Sequence, residues 1–421
     1  MKGIGVPTVG TTAARPLEAV VNGLSASQQK AVSTTEGPVL LIAGPGAGKT
    51  LTLVRRTLHI LTAGLAQPAE IVLCTFTEKA ALELRDRLRG AAIAAGYDGD
   101  LSGLRTGTIH GVCNAFVDRH RHLTPLGNGY EVLDELTQAL FLFEHFDSIF
   151  GEPDANGRYL GRWATKWTAI SGIQRYLDKI TEELVDVAAL ASSGDGFLQQ
   201  LASAQTAYES ALIDENRVDF THIQRHFLDL LDNPDVGPTV RRSVKYVMVD
   251  EYQDTNYIQE RLLDQLSEGT GNLCVVGDED QALYRWRGAT VRNILEFPVT
   301  HARATTVKLT TNYRSHDAIV RAYDKFMAAA DWSNPAGAPS FRFDKQIEPD
   351  SDTSFTDYPS VFSIWGTNKR DEGKRFADLV SFLYENEVIE DYSQVALLLH
   401  SVRADHSGPY LEALDRAGIP Y

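Results

Sequence analysis

Apolar residues along the chain fall into two patterns, and their alternation gives the first outline of the architecture. Leu40-Leu41-Ile42-Ala43 is a continuous apolar run, as expected of a strand covered on both faces. It enters a glycine-rich turn, and from 51 to 61 apolar residues recur at helical spacing. Residues 71–76 repeat the strand pattern and lead into a helical stretch ending near Leu88. A third, shorter strand over 105–109 ends at His110. From about Cys113 to Asn216 the pattern is mostly helical, clearest over 139–150 and 180–190. Strand-type runs return at 245–249, 273–277 and 306–309. Residues 360–364, 371–384, 395–400 and 410–417 then read strand, helix, strand, helix. The prediction is an α/β protein with a helical insertion.

Inside the inserted block, Tyr159, Trp163 and Trp167 recur every four residues, as do Arg158, Arg162 and Lys166. On a helix these form adjacent aromatic and cationic stripes. Two readings stand: a base-stacking platform, or, favoured, an aromatic core stripe bordered by snorkelling cations. Residues 1–22 form a loose arm, and 24–32 a short helix capped at Ser25 or Ser27.

The 421 residues accommodate two or three domains. A composition of 43% hydrophobic and 23% charged residues excludes a disordered or fibrous chain. No apolar run approaches the roughly 20 residues of a membrane span, and the start carries no secretory signal. Three widely spaced cysteines give neither a disulfide framework nor a zinc pattern, and Cys74 and Cys274 lie in strand-type runs as small buried hydrophobes. A cytoplasmic setting is expected. The net charge of −16 does not exclude nucleic acid, because binding depends on a local basic groove rather than on the total.

The strongest chemical signal is Ala43-Gly44-Pro45-Gly46-Ala47-Gly48-Lys49-Thr50 between the first strand and its helix. This is the P-loop arrangement, opened by Ala in place of Gly: backbone N–H groups curl around a phosphate, Lys49 reaches the β- and γ-phosphates, and the Thr50 hydroxyl suits Mg²⁺. The run 245–249 ends in Asp250-Glu251, one carboxylate to hold Mg²⁺ and one to orient an attacking water. Gln28 could meet an adenine edge or be merely solvated. Gln281, Tyr284, Trp286 and Arg287 cluster after the next strand, where Trp beside Arg suits base stacking and phosphate contact, or core packing and solvation. Arg314 follows the last strand as a candidate arginine finger.

Taken in order, these stretches closely resemble the UvrD/Rep family of superfamily 1 DNA helicases. Gln28 sits at the Q-motif position and 43–50 at motif I. Thr75-Phe76-Thr77-x-Lys79-Ala80-Ala81 is similar to motif Ia, and Gly107-Thr108-x-His110 to Ib. Asp250-Glu251-x-Gln253-Asp254-Thr255 resembles motif II, Gly277-Asp278-x-Asp280-Gln281 with Tyr284-x-Trp286-Arg287-Gly288 motif III, and Asn312-Tyr313-Arg314-Ser315 motif IV. The resemblance implies MgATP binding and hydrolysis by Lys49, Thr50, Asp250 and Glu251, with Gln281 sensing the γ-phosphate. It implies that Tyr313 stacks on adenine, that Arg314 reaches the γ-phosphate, and that Thr75, Phe76, Thr108, His110, Tyr284, Trp286 and Arg287 line a single-stranded DNA track. It further implies movement 3′ to 5′ on single strands and at single/double-strand junctions.

Two departures are local. Glu78 stands where motif Ia usually has Asn, and Leu51 where Arg often follows Gly-Lys-Thr. The larger one is that motifs V and VI are not found before Tyr421. The implied division is a RecA-like ATP-binding domain over 1–112 and 216–306, a helical subdomain at 113–215, and an incomplete second RecA-like domain at 307–421. The expected function is that of an ATP-dependent DNA helicase or translocase, of which this chain is the front part. The alternatives are a catalytically impaired ATP- and DNA-binding module or regulatory subunit, or the front of a helicase–nuclease.

Overall fold

The computed structural model describes residues 20–284, 288–335, 337, 340–350 and 360–421. Its strands are, in chain order, β1 (Val39–Ala43), β2 (Ile71–Thr75), β3 (Arg105–Thr108), β4 (Glu131–Leu133), β5 (Arg217–Asp219), β6 (Tyr246–Val249), β7 (Leu273–Gly277), β8 (Thr305–Leu309), β9 (Thr311–Asn312) and β10 (Glu348–Pro349). Six of them form one parallel sheet in the order β3-β2-β6-β7-β1-β8. The α/β class predicted from the apolar runs is what the chain adopts.

The runs are continuous because both faces of the sheet are covered. Leu40 and Ile42 point to a core shared with the helices Ile109–Arg119, Phe220–Asp232 and Tyr257–Ser267. Val39, Leu41 and Ala43 point to the opposite core, beneath Ala26–Ser33, Lys49–Thr62 and Glu78–Ala94. Cys74, Cys113 and Cys274 are free and buried in these two cores.

A third core holds the inserted helices, with Phe141, Ile173, Leu177 and Tyr208 at its centre. The insertion is closed at its base by a two-stranded parallel ladder, β4 against β5. The expected boundary at 112/113 falls inside the helix Ile109–Arg119, whose Cys113, Phe116 and Val117 are buried against the sheet. The expected boundary at 306/307 falls inside β8, which pairs with β1 from Thr305 to Leu309. The described residues divide into two compact units, one drawn from 1–315 and 323–351 and the other from 316–322 and 352–421.

The aromatic stripe does not lie on one helix: Tyr159 and Trp163 precede the helix on which Trp167 sits. Gly157, Leu160 and Gly161 all have positive φ, and Tyr159 bridges Trp163 antiparallel in a turn that precedes the helix Lys166–Glu182. Tyr159 meets Phe146 edge-on, Trp163 lies against Phe197, and the Arg162 guanidinium sits 3.4 Å from the Phe197 ring centroid. The favoured core-border role holds on a different backbone. Trp167 alone of the three aromatics is exposed, stacked on Phe143.

In the second unit the helices Lys369–Glu385 and Ala404–Ala417 pack around Ala377, Val380, Leu414 and Ile419. A Cβ on Gly373 would lie 2.6 Å from the Pro409 carbonyl oxygen, so glycine is what lets the two helices approach. The runs 360–364 and 395–400 form no ladder among the described residues. An apolar run becomes a strand only against a hydrogen-bonded neighbour. No helix among the described residues is long and apolar enough to cross a membrane.

Candidate functional site: a P-loop facing paired carboxylates

All six strands run the same way, so their C-terminal ends share one edge, where ligands of open α/β sheets gather. At that edge β1 continues through Gly44, Pro45 and Gly46 into the helix Lys49–Thr62. Gly46 and Gly48 have φ of +67° and +80°, a region open to glycine at little cost. Gly48 is the N-cap and offers no side-chain cap, so the first-turn N–H groups stay available to an anion. Ala43 and Ala47 are buried and fix the two ends of the loop in the core.

Opposite, β6 ends at Asp250 and Glu251. Lys49 Nζ donates to Glu251 Oε2 at 2.7 Å, and Thr50 Oγ1 to Asp250 Oδ2 at 3.2 Å. Residues some 200 positions apart thus meet as lysine–carboxylate and hydroxyl–carboxylate pairs. Glu251 sits at φ 54°, a left-handed conformation that costs a non-glycine residue energy and that clusters at functional sites. Burial first, and the Glu251 charge second, push the Asp250 carboxyl up to about 6. The same two causes raise Asp254 to about 7. The Thr50 hydroxyl and Asp250 carboxylate are hard oxygen donors of the kind Mg²⁺ takes, and a cation would relieve this concentration of negative charge. The residues present fit the ion.

The neighbouring loops brace this centre. Gln253 Nε2 donates to Glu251 Oε2 at 2.9 Å, and its Oε1 accepts from the Asp278 N–H at 3.0 Å, linking the ends of β6 and β7. Since β7 lies between β6 and β1, its outgoing turn brings Gln281 in between them, with Gln281 Nε2 bonded to Asp278 Oδ2 at 2.6 Å. Gln28 is not solvated. It is 3% exposed, accepts from the Ser25 N–H in a capping box and donates to the Ala47 carbonyl, so its amide supports the P-loop. On the other side the Tyr313 N–H donates to the Gly46 carbonyl, and Asn312 Oδ1 accepts from the Arg314 and Ser315 N–H groups. The Tyr313 and Arg314 side chains are exposed beside the loop.

Residues 24–302 match the model of the UvrD/REP helicase N-terminal domain. The chain belongs to the UvrD/REP helicase family. It is 33% identical over 305 residues to the ATP-dependent DNA helicase PcrA of Bacillus subtilis, covering 72% of this chain and 39% of that protein. It is 30% identical over 419 residues to the ATP-dependent DNA helicase UvrD1 of Mycobacterium tuberculosis, covering 96% and 50%. PcrA of Staphylococcus aureus is 30% identical over 327 residues, covering 76% and 42%. The chain thus spans half or less of the length of these relatives.

Of the residues that the UvrD/REP resemblance points to for DNA, several share one edge. Phe76 follows β2, its ring centroid 5.1 Å from that of Tyr284, and both are partly exposed. Thr108 caps the helix Ile109–Arg119, accepting from the Gly111 N–H and donating to Glu78 Oε1 at 2.9 Å, so the unusual carboxylate at 78 is tied to this edge. A cavity of about 430 Å³ opens here between Glu78, Arg85, Arg105, Thr108 and Arg119. His110 lies 5.3 Å from the Phe220 ring, and burial lowers its pKa to about 4, which keeps it neutral. Thr75 is 1% exposed, so its side chain faces the core while Phe76 faces outward. Trp286 and Arg287 lie outside the described residues.

Proposed function

We propose that this chain carries the ATP-binding machinery and part of the DNA track of an ATP-dependent DNA helicase or translocase that moves 3′ to 5′ on single-stranded DNA. The observation that carries the reading is the pairing of Lys49 with Glu251 and of Thr50 with Asp250 across the loop edge. The glycine turn and the uncapped first-turn N–H groups receive the phosphates, and Lys49 leaves Glu251 to meet them. Thr50 and Asp250 would hold Mg²⁺, which would supply charge to offset that of the phosphate oxygens. Glu251, released from Lys49 and still bonded to Gln253, orients the attacking water. Gln281 reports the terminal phosphate, and Arg314 stabilises charge on it.

DNA lies along Phe76, Thr108 and Tyr284, with stacking on Phe76 and Tyr284 supplying affinity that is indifferent to sequence. The names of the relatives, all ATP-dependent DNA helicases, support this assignment. The test is calorimetric titration of the chain with MgATP, followed by ATP hydrolysis with and without single-stranded DNA. Saturable MgATP binding and DNA-stimulated hydrolysis are expected. Absence of nucleotide binding would overturn the reading.

A further inference from the structure

One buried charge cluster is unused by this mechanism. Asp278, Glu279 and Asp280, in the turn after β7, have side chains no more than 1% exposed. The Lys345 side chain, also 1% exposed, places its ammonium among them, against Asp278 Oδ1, 2.8 Å from Glu279 Oε2 and 3.3 Å from Asp280 Oδ2. The three carboxylates are close enough together to hold a cation, and Lys345 is that cation. Arg342 Nε binds both oxygens of Asp280 at 2.9 and 3.1 Å, and the Tyr323 hydroxyl donates to the same carboxylate. Burial would lower the Lys345 pKa, but the Asp278 and Glu279 charges raise it and keep the ammonium protonated.

Such a cluster is a poor way to gain stability alone, because apolar residues of equal volume often do as well. What distinguishes it is where its bonds lead. Asp278 gives Oδ1 to Lys345 and Oδ2 to Gln281, while its N–H reaches Gln253 and through it Glu251. The segment carrying Lys345 continues to the P-loop, where a Cβ on Gly44 would lie 2.3 Å from Ile347 Cδ1. It then runs beside β9, with the Glu348 and Asp350 N–H groups donating to the Thr310 and Asn312 carbonyls. One short segment therefore touches the turn bearing Gln281, the P-loop, and the loop bearing Tyr313 and Arg314.

We propose that Lys345 is a positioning residue for nucleotide sensing: by fixing the Asp278 carboxylate it holds Gln281 in register with the terminal phosphate. This rests on the ATP reading above and deepens it.

The test uses binding alone, on the 421-residue chain. Affinities for MgADP and for a non-hydrolysable β,γ-imido analogue of MgATP are measured by calorimetry. The wild type is expected to prefer the analogue. Lys345→Met should reduce that preference by about fivefold, the worth of one hydrogen bond, while ADP affinity changes by less than about twofold. In a Gln281→Ala background the same substitution should change nothing further. Equal weakening of both ligands, an unchanged ratio, an effect that persists without Gln281, or a wild type indifferent between the two would overturn the proposal. A wild type that binds neither would overturn the ATP reading itself. Should Lys345→Met fail to fold, Asp278→Asn, which keeps the shape, is read by the same ratio and the same criteria.

Discussion

On the proposed reading Glu251→Gln separates binding from chemistry, because Glu251 pairs with Lys49 before the phosphates arrive and orients water afterwards. Its side chain is 33% exposed and that of Lys49 12%, with 2.7 Å between their charged atoms. A partly solvated pair of this kind is worth about 1 kcal/mol. An incoming phosphate must draw Lys49 away, so wild-type affinity is reduced by that amount. The amide removes the pair at constant shape, leaves the φ of 54° no more strained than before, and should raise MgATP affinity by up to about fivefold. Hydrolysis should move the other way, because an amide cannot orient or activate water as a carboxylate does, and the expected loss is on the order of 10² or more. A third effect follows from Asp250, which burial and then the Glu251 charge hold at about 6. Removing that charge lowers the Asp250 value, so the pH below which Mg²⁺-dependent binding fails should fall. The assays are calorimetry and single-turnover phosphate release with single-stranded DNA, across pH 5.5 to 8 as an approximate range around that value. A variant that turns over like the wild type, or binds MgATP tenfold more weakly, would refute the reasoning.

Three further outcomes are expected. Lys49→Ala removes a charge-assisted phosphate contact worth about 2–3 kcal/mol and should weaken MgATP binding at least roughly tenfold by calorimetry. Phe76→Ala should cost about 1–3 kcal/mol of single-stranded DNA affinity by fluorescence titration, with MgATP affinity and melting temperature unchanged. The third concerns the buried pair at the base of the insertion: burial would lower the His222 pKa, but Asp219, 2.9 Å away, overcomes it and drives it up to about 10, while His222 holds Asp219 well below the usual carboxylate range. The His222 contribution is complete below its unfolded value of about 6.5 and lost as pH rises through its folded value, whereas that of Asp219 is lost only in strong acid. Asp219→Asn should therefore cost about 3 kcal/mol or more near pH 6, and distinctly less near pH 10, by chemical denaturation.

The sheet was legible because each of its apolar strands is a continuous apolar run, which periodicity identifies whatever the neighbours do. Where periodicity had no partner to check it, it misled. The four-residue recurrence of Tyr159, Trp163 and Trp167 suits a helix, yet Leu160 at φ 48° and two glycines at positive φ put Tyr159 and Trp163 in a turn ahead of it. The spacing was produced by a bridge across that turn, to which a helical template is blind. The runs 360–364 and 395–400 are apolar enough for strands, but pairing is a property of two segments. The expected boundary at 112/113 falls inside an element for a related reason. The helix Ile109–Arg119 keeps its apolar spacing past residue 112, and only burial of Cys113, Phe116 and Val117 on the sheet shows which core it serves.

The site divides along the same line. Lys49, Thr50, Asp250 and Glu251 stand directly after apolar runs, so local sequence gives both their chemistry and their place on the sheet edge. The groups bonded around them come from far along the chain: Gln28 on the Ala47 carbonyl, Gln253 on the Asp278 N–H, and Lys345 on the turn before Gln281. An amide or a lone lysine has no local signature for such a role, because its partner is set by strand order, and strand order is set by crossovers that no window of sequence contains. Because β7 separates β1 from β6, the residues that bridge the lysine and carboxylate loops have to come from its turn or from side chains reaching across it. Gln281 and Gln253 occupy those two positions, and Lys345 holds the same turn through Asp278.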